Sequence, residues 1–178
     1  VIKVIIIHGN GGATANDIWI PSVTNALTAA GLTVIAKTFP DNQTALASSW
    51  LPFIEKMDTD GDTIIVGHSS GALAAMRYAE NHHLMGLVLI GAAHTDLGDA
   101  NEKASGYFDS PWQWDQIKSN TKWVIQFAST DDPYIPATEQ EYVRDNLNAQ
   151  YHEFHDRGHF MTADFPELTT SIIKNITQ

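Results

Sequence analysis

Asp62-Thr63-Ile64-Ile65-Val66-Gly67-His68-Ser69-Ser70-Gly71-Ala72-Leu73-Ala74-Ala75-Met76-Arg77 is the stretch whose reading decides the fold. It opens as an apolar run of strand character, Thr63 to Val66, and closes on Ala72 to Met76, which is good helix-forming material. A strand that passes directly into a helix turns so sharply that the residues two before and two after its apex nearly touch. Gly67 and Gly71 stand at those two places, where side chains would collide, and Ser69 stands at the strained apex. The segment reads as a G-x-S-x-G turn that lifts the Ser69 hydroxyl above a sheet. The Ser70 N–H, opening the new helix, can then face charge that forms on an attacked carbonyl oxygen. The plainer alternative is a structural turn whose serines only cap the helix.

Composition narrows the classes. At 178 residues the chain fits one domain, 1–178, with a real core. The absence of cysteine excludes disulfides, cysteine nucleophiles and thiolate metal sites. The formal charge of -11, from 21 acidic and 10 basic residues, argues against nucleic acid or an anionic membrane as partner. Val1-Ile2-Lys3-Val4 enters a strand with no basic segment ahead of it, and the apolar run Val4 to Ile7 is too short to span a bilayer. A cytoplasmic protein is the expectation.

Residues 2–7 are apolar on both faces, as suits a central strand of a parallel sheet. The loop His8-Gly9-Asn10-Gly11-Gly12 follows. It lacks the full G-x-G-x-x-G pattern and the phosphate-loop lysine, so a nucleotide reading fails. A backbone N–H from Asn10 or Gly11, serving as second donor of an oxyanion hole, fits it better. Further strands are expected at 33–36, 86–91, 123–128 and 151–154. Helices are expected at 18–30, with Pro21 in the first turn, then from 45 to 57 with a kink at Pro52, at 137–147 and at 166–176. Asp41 or Asn42 is expected to cap the second of these. Residues 92–116 show no period and read as a small lid or substrate wall; simple packing of Trp112 and Trp114 is the competing reading. Alternating strands and helices make a three-layer α/β/α sandwich.

Three candidate groups follow three different strands at their C-terminal ends, which a parallel sheet gathers along one edge. Ser69 is the candidate nucleophile and His159, between Gly158 and Phe160, the candidate base. An imidazole must remove the serine proton, and a carboxylate must fix the imidazole tautomer and offset its charge. Asp131 and Asp132 compete for that place, with Pro133 locking the backbone after Asp132. The order Ser, Asp, His is that of α/β hydrolases. His68 is expected to pack beneath the turn and His8 to orient its loop. His155, Asp156 and His159 lack the helical H-E-x-x-H frame of a zinc site, and neither metal nor cofactor is expected.

Taken together, His8-Gly9-Asn10-Gly11-Gly12 with a following Trp19, Gly67 to Ala72, Asp132-Pro133-Tyr134-Ile135-Pro136 and Gly158-His159-Phe160 resemble the small α/β-hydrolase family that includes the retinoblastoma-binding serine hydrolases and their bacterial relatives. The resemblance runs over essentially the whole chain. It implies Ser69, Asp132 and His159 as the triad, choosing Asp132 by its place four residues before Pro136. It also implies six parallel strands in the order 2-1-3-4-5-6, no large cap domain, and serine hydrolase activity on poorly defined substrates. Retinoblastoma binding does not carry over, because the L-x-C-x-E element it requires needs a cysteine.

The leading expectation is cleavage of small carboxylic esters through an acyl-enzyme. Thioesterase, amidase or peptidase activity would use the same groups, and a lyase of the hydroxynitrile type is compatible with them. A non-catalytic binding protein on the same scaffold is the alternative from another class.

Overall fold

Thr63 to His68 form the most enclosed strand of the protein, every residue of it buried, and the remaining elements assemble around it. The structure is a computed structural model describing all residues, 1–178. In chain order its elements are β1 (Lys3–Ile7), α1 (Ile20–Ala29), β2 (Thr33–Ala36), α2 (Ala47–Glu55), β3 (Thr63–His68), α3 (Ser70–Ala79), β4 (Leu84–Ile90), α4 (Ala100–Ala104), α5 (Trp114–Asn120), β5 (Thr121–Ser129), α6 (Ala137–Leu147), β6 (Gln150–Phe154) and α7 (Pro166–Ile176). The strands form one parallel sheet in the order β2-β1-β3-β4-β5-β6, the order expected.

The alternation of side chains along each strand divides the apolar residues between two layers. Ile5, Ile7, Ile65, Leu87 and Leu89 pack with Trp50 and Ile54 of α2, Leu73 and Met76 of α3, Ile117 of α5 and Val143 of α6. Val4, Ile6, Ile64, Val66, Val88 and Ile90 face the other way, onto Ile20, Val23 and Leu27 of α1 and Leu168 and Ile172 of α7. Strands covered on both faces have no polar side, which is why β1, β3 and β4 read as unbroken apolar runs. No helix is long and apolar enough to cross a membrane.

Register places the functional edge. Ile7 pairs with Gly67, His68 with Ile90, and Ile90 with Phe127, so the C-terminal ends of four strands line up. The loops beginning at His8, Ser69, Gly91 and Thr130 leave from that edge.

Several boundaries differ from the sequence expectation, each for a local reason. The second helix runs unbroken through Pro52 from Ala47, and Leu46 rather than Asp41 or Asn42 precedes it. Asp41 instead closes the turn before it, its Oδ2 accepting from Leu46 N–H at 3.0 Å and its carbonyl from Ala45 N–H at 2.7 Å. The span 92–116 holds α4 and the start of α5. The signal for α4 was present as Asp99-x-x-Glu102: the Asp99 carboxylate accepts from Asn101 and Glu102 N–H at 2.8 and 3.0 Å.

Candidate active site

The turn at Ser69 has the tightness its glycines imply. Ser69 has φ 58° and ψ -116°, a strained conformation for a residue with a side chain. A Cβ at Gly67 would lie 2.3 Å from the Gly71 carbonyl oxygen, and one at Gly71 would lie 2.3 Å from that of Ile7. The two glycines therefore guard different contacts: one within the turn, the other between the new helix and β1. Ser69 N–H donates to Ile90 O at 2.9 Å, which fastens the apex to the end of β4.

His159 Nδ1 is 2.8 Å from Asp132 Oδ2, and the Asp132 side chain is wholly enclosed. The carboxylate only accepts, so Nδ1 carries the hydrogen and Nε2 is left with its lone pair. Asp132 Oδ1 is held by Tyr134 and Ile135 N–H at 2.9 and 3.0 Å, so the loop after Pro133 orients this carboxylate. Asp131 does not reach the imidazole. Its Oδ1 accepts from Ser129 Oγ–H at 2.6 Å and from Gly158 N–H at 2.9 Å, bracing the loop that carries His159. These bonds hold its carboxyl below the usual range. Ser69 Oγ and His159 border the same cavity without a direct hydrogen bond between them, as is common before substrate binds.

Two other histidines are structural, and both are neutral. His68 Nε2–H donates to the His159 carbonyl at 2.8 Å; burial, then the adjacent His159, lower its pKa to about 4. His8 donates from Nδ1 to Gly9 O at 2.7 Å and accepts Phe39 N–H on Nε2 at 2.8 Å, and burial again lowers its pKa. Because N–H and C=O of a peptide unit point opposite ways, drawing Gly9 O onto His8 turns the Asn10 N–H away from it. Gly11 N–H, the other candidate, is engaged with Gln43 O at 3.0 Å. Neither Asn10 N–H nor Ser70 N–H has a partner within the chain.

His155 and Asp156 take separate partners. His155 Nδ1 bonds Thr130 Oγ1 at 2.9 Å, and Asp156 faces Arg157 at 4.0 Å.

Above Ser69 lies an open cavity of about 820 Å³. Leu73, Ala93 and Ile135 give it apolar surface, and Thr95, Leu97 and Glu102 border it from the 92–116 segment. Three further residues support the site: Gly91 and Arg77 escaped the sequence reading, and Trp19 entered it only as part of the family resemblance. Gly91 has φ 63°, and a Cβ there would lie 3.0 Å from His159 Cε1, so a glycine here leaves room for the imidazole. Trp19, fully buried, donates Nε1–H to Phe160 O at 3.1 Å and ties α1 to the His159 loop. Arg77 of α3, also buried, donates to Tyr107 O, Ser110 O and Pro111 O, pairs with Glu80 at 2.9 Å and lies 3.8 Å from the Trp112 ring centroid. For Arg77 the sequence signal was a lone arginine in an alanine-rich helix; Gly91 gave none.

A parallel sheet in this order, with a strained serine turn at its centre, defines the α/β-hydrolase class. Within that class a sequence profile described as serine hydrolase matches residues 4–168, and the chain belongs to the serine hydrolase family. It is 49% identical over 178 residues to serine hydrolase RBBP9 of Rattus norvegicus, covering 98% of this chain and 96% of the rat protein. It is 25% identical to YdeN of Bacillus subtilis (strain 168) over 168 residues, 89% of this chain and 86% of that one. The crystal structure of the B. subtilis ydeN gene product superimposes with a TM-score of 0.92 at 21% identity, over 100% of both chains, a likeness of fold.

Proposed function

We propose that this serine hydrolase cleaves small carboxylic esters, with Ser69 as nucleophile, His159 as general base and acid, and Asp132 as the carboxylate that orients it. The observation that carries the reading is the 2.8 Å His159 Nδ1–Asp132 Oδ2 bond, which leaves Nε2 free to accept a proton in the cavity that Ser69 also lines. His159 Nε2 takes the Ser69 proton as Oγ attacks the ester carbonyl carbon. The oxyanion is received by the N–H groups of Ser70 and Asn10, the choice over Gly11 resting on the bond Gly11 makes to Gln43. As the tetrahedral species collapses, His159 returns the proton to the departing alcohol and an acyl-Ser69 ester remains. A water that gives its proton to His159 then attacks the acyl carbon; as this second tetrahedral species collapses, His159 passes that proton to Ser69 Oγ and the carboxylic acid departs, restoring both groups.

The 92–116 segment serves as the substrate wall in this reading, supported by Thr95, Leu97 and Glu102 on the cavity. Thioesters and amides call on the same groups, so the substrate series decides among them.

Steady-state hydrolysis of p-nitrophenyl and alkyl esters, thioesters and anilides by wild type and S69A tests the proposal. Esters should turn over fastest, and S69A should lose roughly four orders of magnitude or more in kcat. Unchanged turnover by pure S69A would refute it.

A further inference from the structure

We propose that Glu102 is a positioning residue: through the Asn10 side chain it holds the Asn10 N–H in the orientation that receives the oxyanion, so that the cavity wall completes the oxyanion hole. This rests on the roles given above to Ser69 and Asn10. Asn10 Nδ2 donates to Glu102 Oε1 at 3.2 Å, across 92 residues of sequence, and both residues line the cavity beside Ser69.

The loop carrying Asn10 is fixed on both sides of it but not at it. Before it, His8 holds Gly9 O. After it, Gly11 and Gly12 N–H donate to Gln43 O and Asn42 O at 3.0 and 3.1 Å, and Asn42 Nδ2 donates to Ala13 O at 2.8 Å. Asn10 itself has a free N–H and a carbonyl that only Ala13 N–H approaches, at 3.4 Å. Gly11 and Gly12 both have positive φ, and a Cβ at Gly11 would meet nothing within 4 Å, so packing places no brake on the following linkage. The amide of the Asn10 side chain is the remaining restraint, and Glu102 is what it grips.

Glu102 is well supported for this role. It sits on α4, capped by Asp99. Just beyond that helix, Ser105 O accepts from Ala47 N–H at 2.8 Å and Tyr107 O is held by Arg77. The wall is thereby bound to α2 and to the helix that begins at the nucleophile. Burial, then neighbouring Asp99, raises the pKa of Glu102, and the Asn10 amide is the contact that works against them. An oxyanion donor contributes to the transition state far more than to the bound ester, so loosening it should reduce kcat and leave KM nearly unchanged.

The test compares wild type, E102A, E102Q, N10A and the double variant N10A/E102A on one p-nitrophenyl ester, with a boronic acid as probe of tetrahedral-adduct binding. Complete loss of one oxyanion donor costs about 10²–10³ in kcat, so a donor left in place but unrestrained should cost about tenfold. E102A and N10A should each lose about that much kcat, keep KM within about twofold, and lose boronate affinity in the same proportion as kcat/KM. E102Q keeps the acceptor oxygen and should recover most of the rate. The double variant should be no slower than the slower single variant. E102A with wild-type kcat, a loss confined to KM, no rescue in E102Q, or additive losses would each overturn the proposal. Should E102A fail to fold, N10A with wild-type kcat would overturn it equally. Wild type that takes no fluorophosphonate would instead remove the Ser69 reading itself, which separates the two failures.

Discussion

His68 and His159 lie with ring centroids 4.9 Å apart, and His68 Nε2–H donates to the His159 carbonyl at 2.8 Å. A neutral, buried histidine, the residue immediately before Ser69, is thus bonded to the backbone of the loop that carries His159.

His68 should make stability fall with acid. Its folded pKa of about 4 lies below its ordinary value of 6.5, so the unfolded chain binds the proton more readily. The contribution is complete above the unfolded value and is lost as pH falls towards the folded one, by about 2 kcal/mol between about pH 7 and about pH 5. Urea denaturation at both pH values should show a steeper loss for wild type than for H68Q, with the lowered pKa of His8 acting alike in both. Parallel losses would mean that His68 takes no part in the acid response.

Asp132→Asn and Asp131→Asn should separate sharply. Asparagine at 132 would offer His159 an amide and favour the wrong tautomer, with an expected loss of about 10⁴ in kcat, the magnitude seen when a triad carboxylate is so replaced. Asp131 braces the Gly158 N–H instead, so D131N should cost about tenfold or less, mainly through a looser loop. Equal losses in the two variants would contradict the assignment of Asp132.

Gly91→Ala should displace His159 without touching Ser69. The added methyl would stand 3.0 Å from His159 Cε1 on a backbone of φ 63°. A stability loss of about 1–3 kcal/mol is expected from the backbone strain, together with a drop in kcat of about tenfold or more from displacement of the imidazole. Stability and kcat both at wild-type level would show that His159 has room to spare.

Arg77 and Glu80 should behave as a unit. R77L leaves Glu80 buried without its partner, with an expected cost of about 3–5 kcal/mol, whereas R77L/E80L should be less destabilised than R77L. Chemical denaturation of both variants checks this; additive losses would mean that the pair is not coupled.

The parts of this molecule legible in its sequence are those fixed by local pattern. Apolar runs two-sided in character gave the buried strands, and the spacing of Gly67 and Gly71 about Ser69 marked the strand-to-helix turn, although only the Gly67 collision lies within it and that at Gly71 is with Ile7 of β1. Order along the chain was enough to bring Ser69, Asp132 and His159 to one sheet edge. What the sequence hid depends on which side chain reaches which atom across the fold. Local pattern left Asp131 and Asp132 as competitors, and only the family resemblance chose between them before the direction of each was seen. Asn10 and Gly11 are equivalent donors until Gln43 is seen to occupy one of them. The Asn10–Glu102 bond, the grip of Arg77 on residues 107–111 and the space that Gly91 leaves for His159 join positions with no periodic or spacing relation.

The most direct test of the account is intact-mass analysis after exposure to a fluorophosphonate, with wild type and S69A side by side. The account predicts one covalent adduct on folded wild type, none on S69A, and a slower rate of adduct formation in D132N. An adduct on S69A, or none on folded wild type, would contradict it.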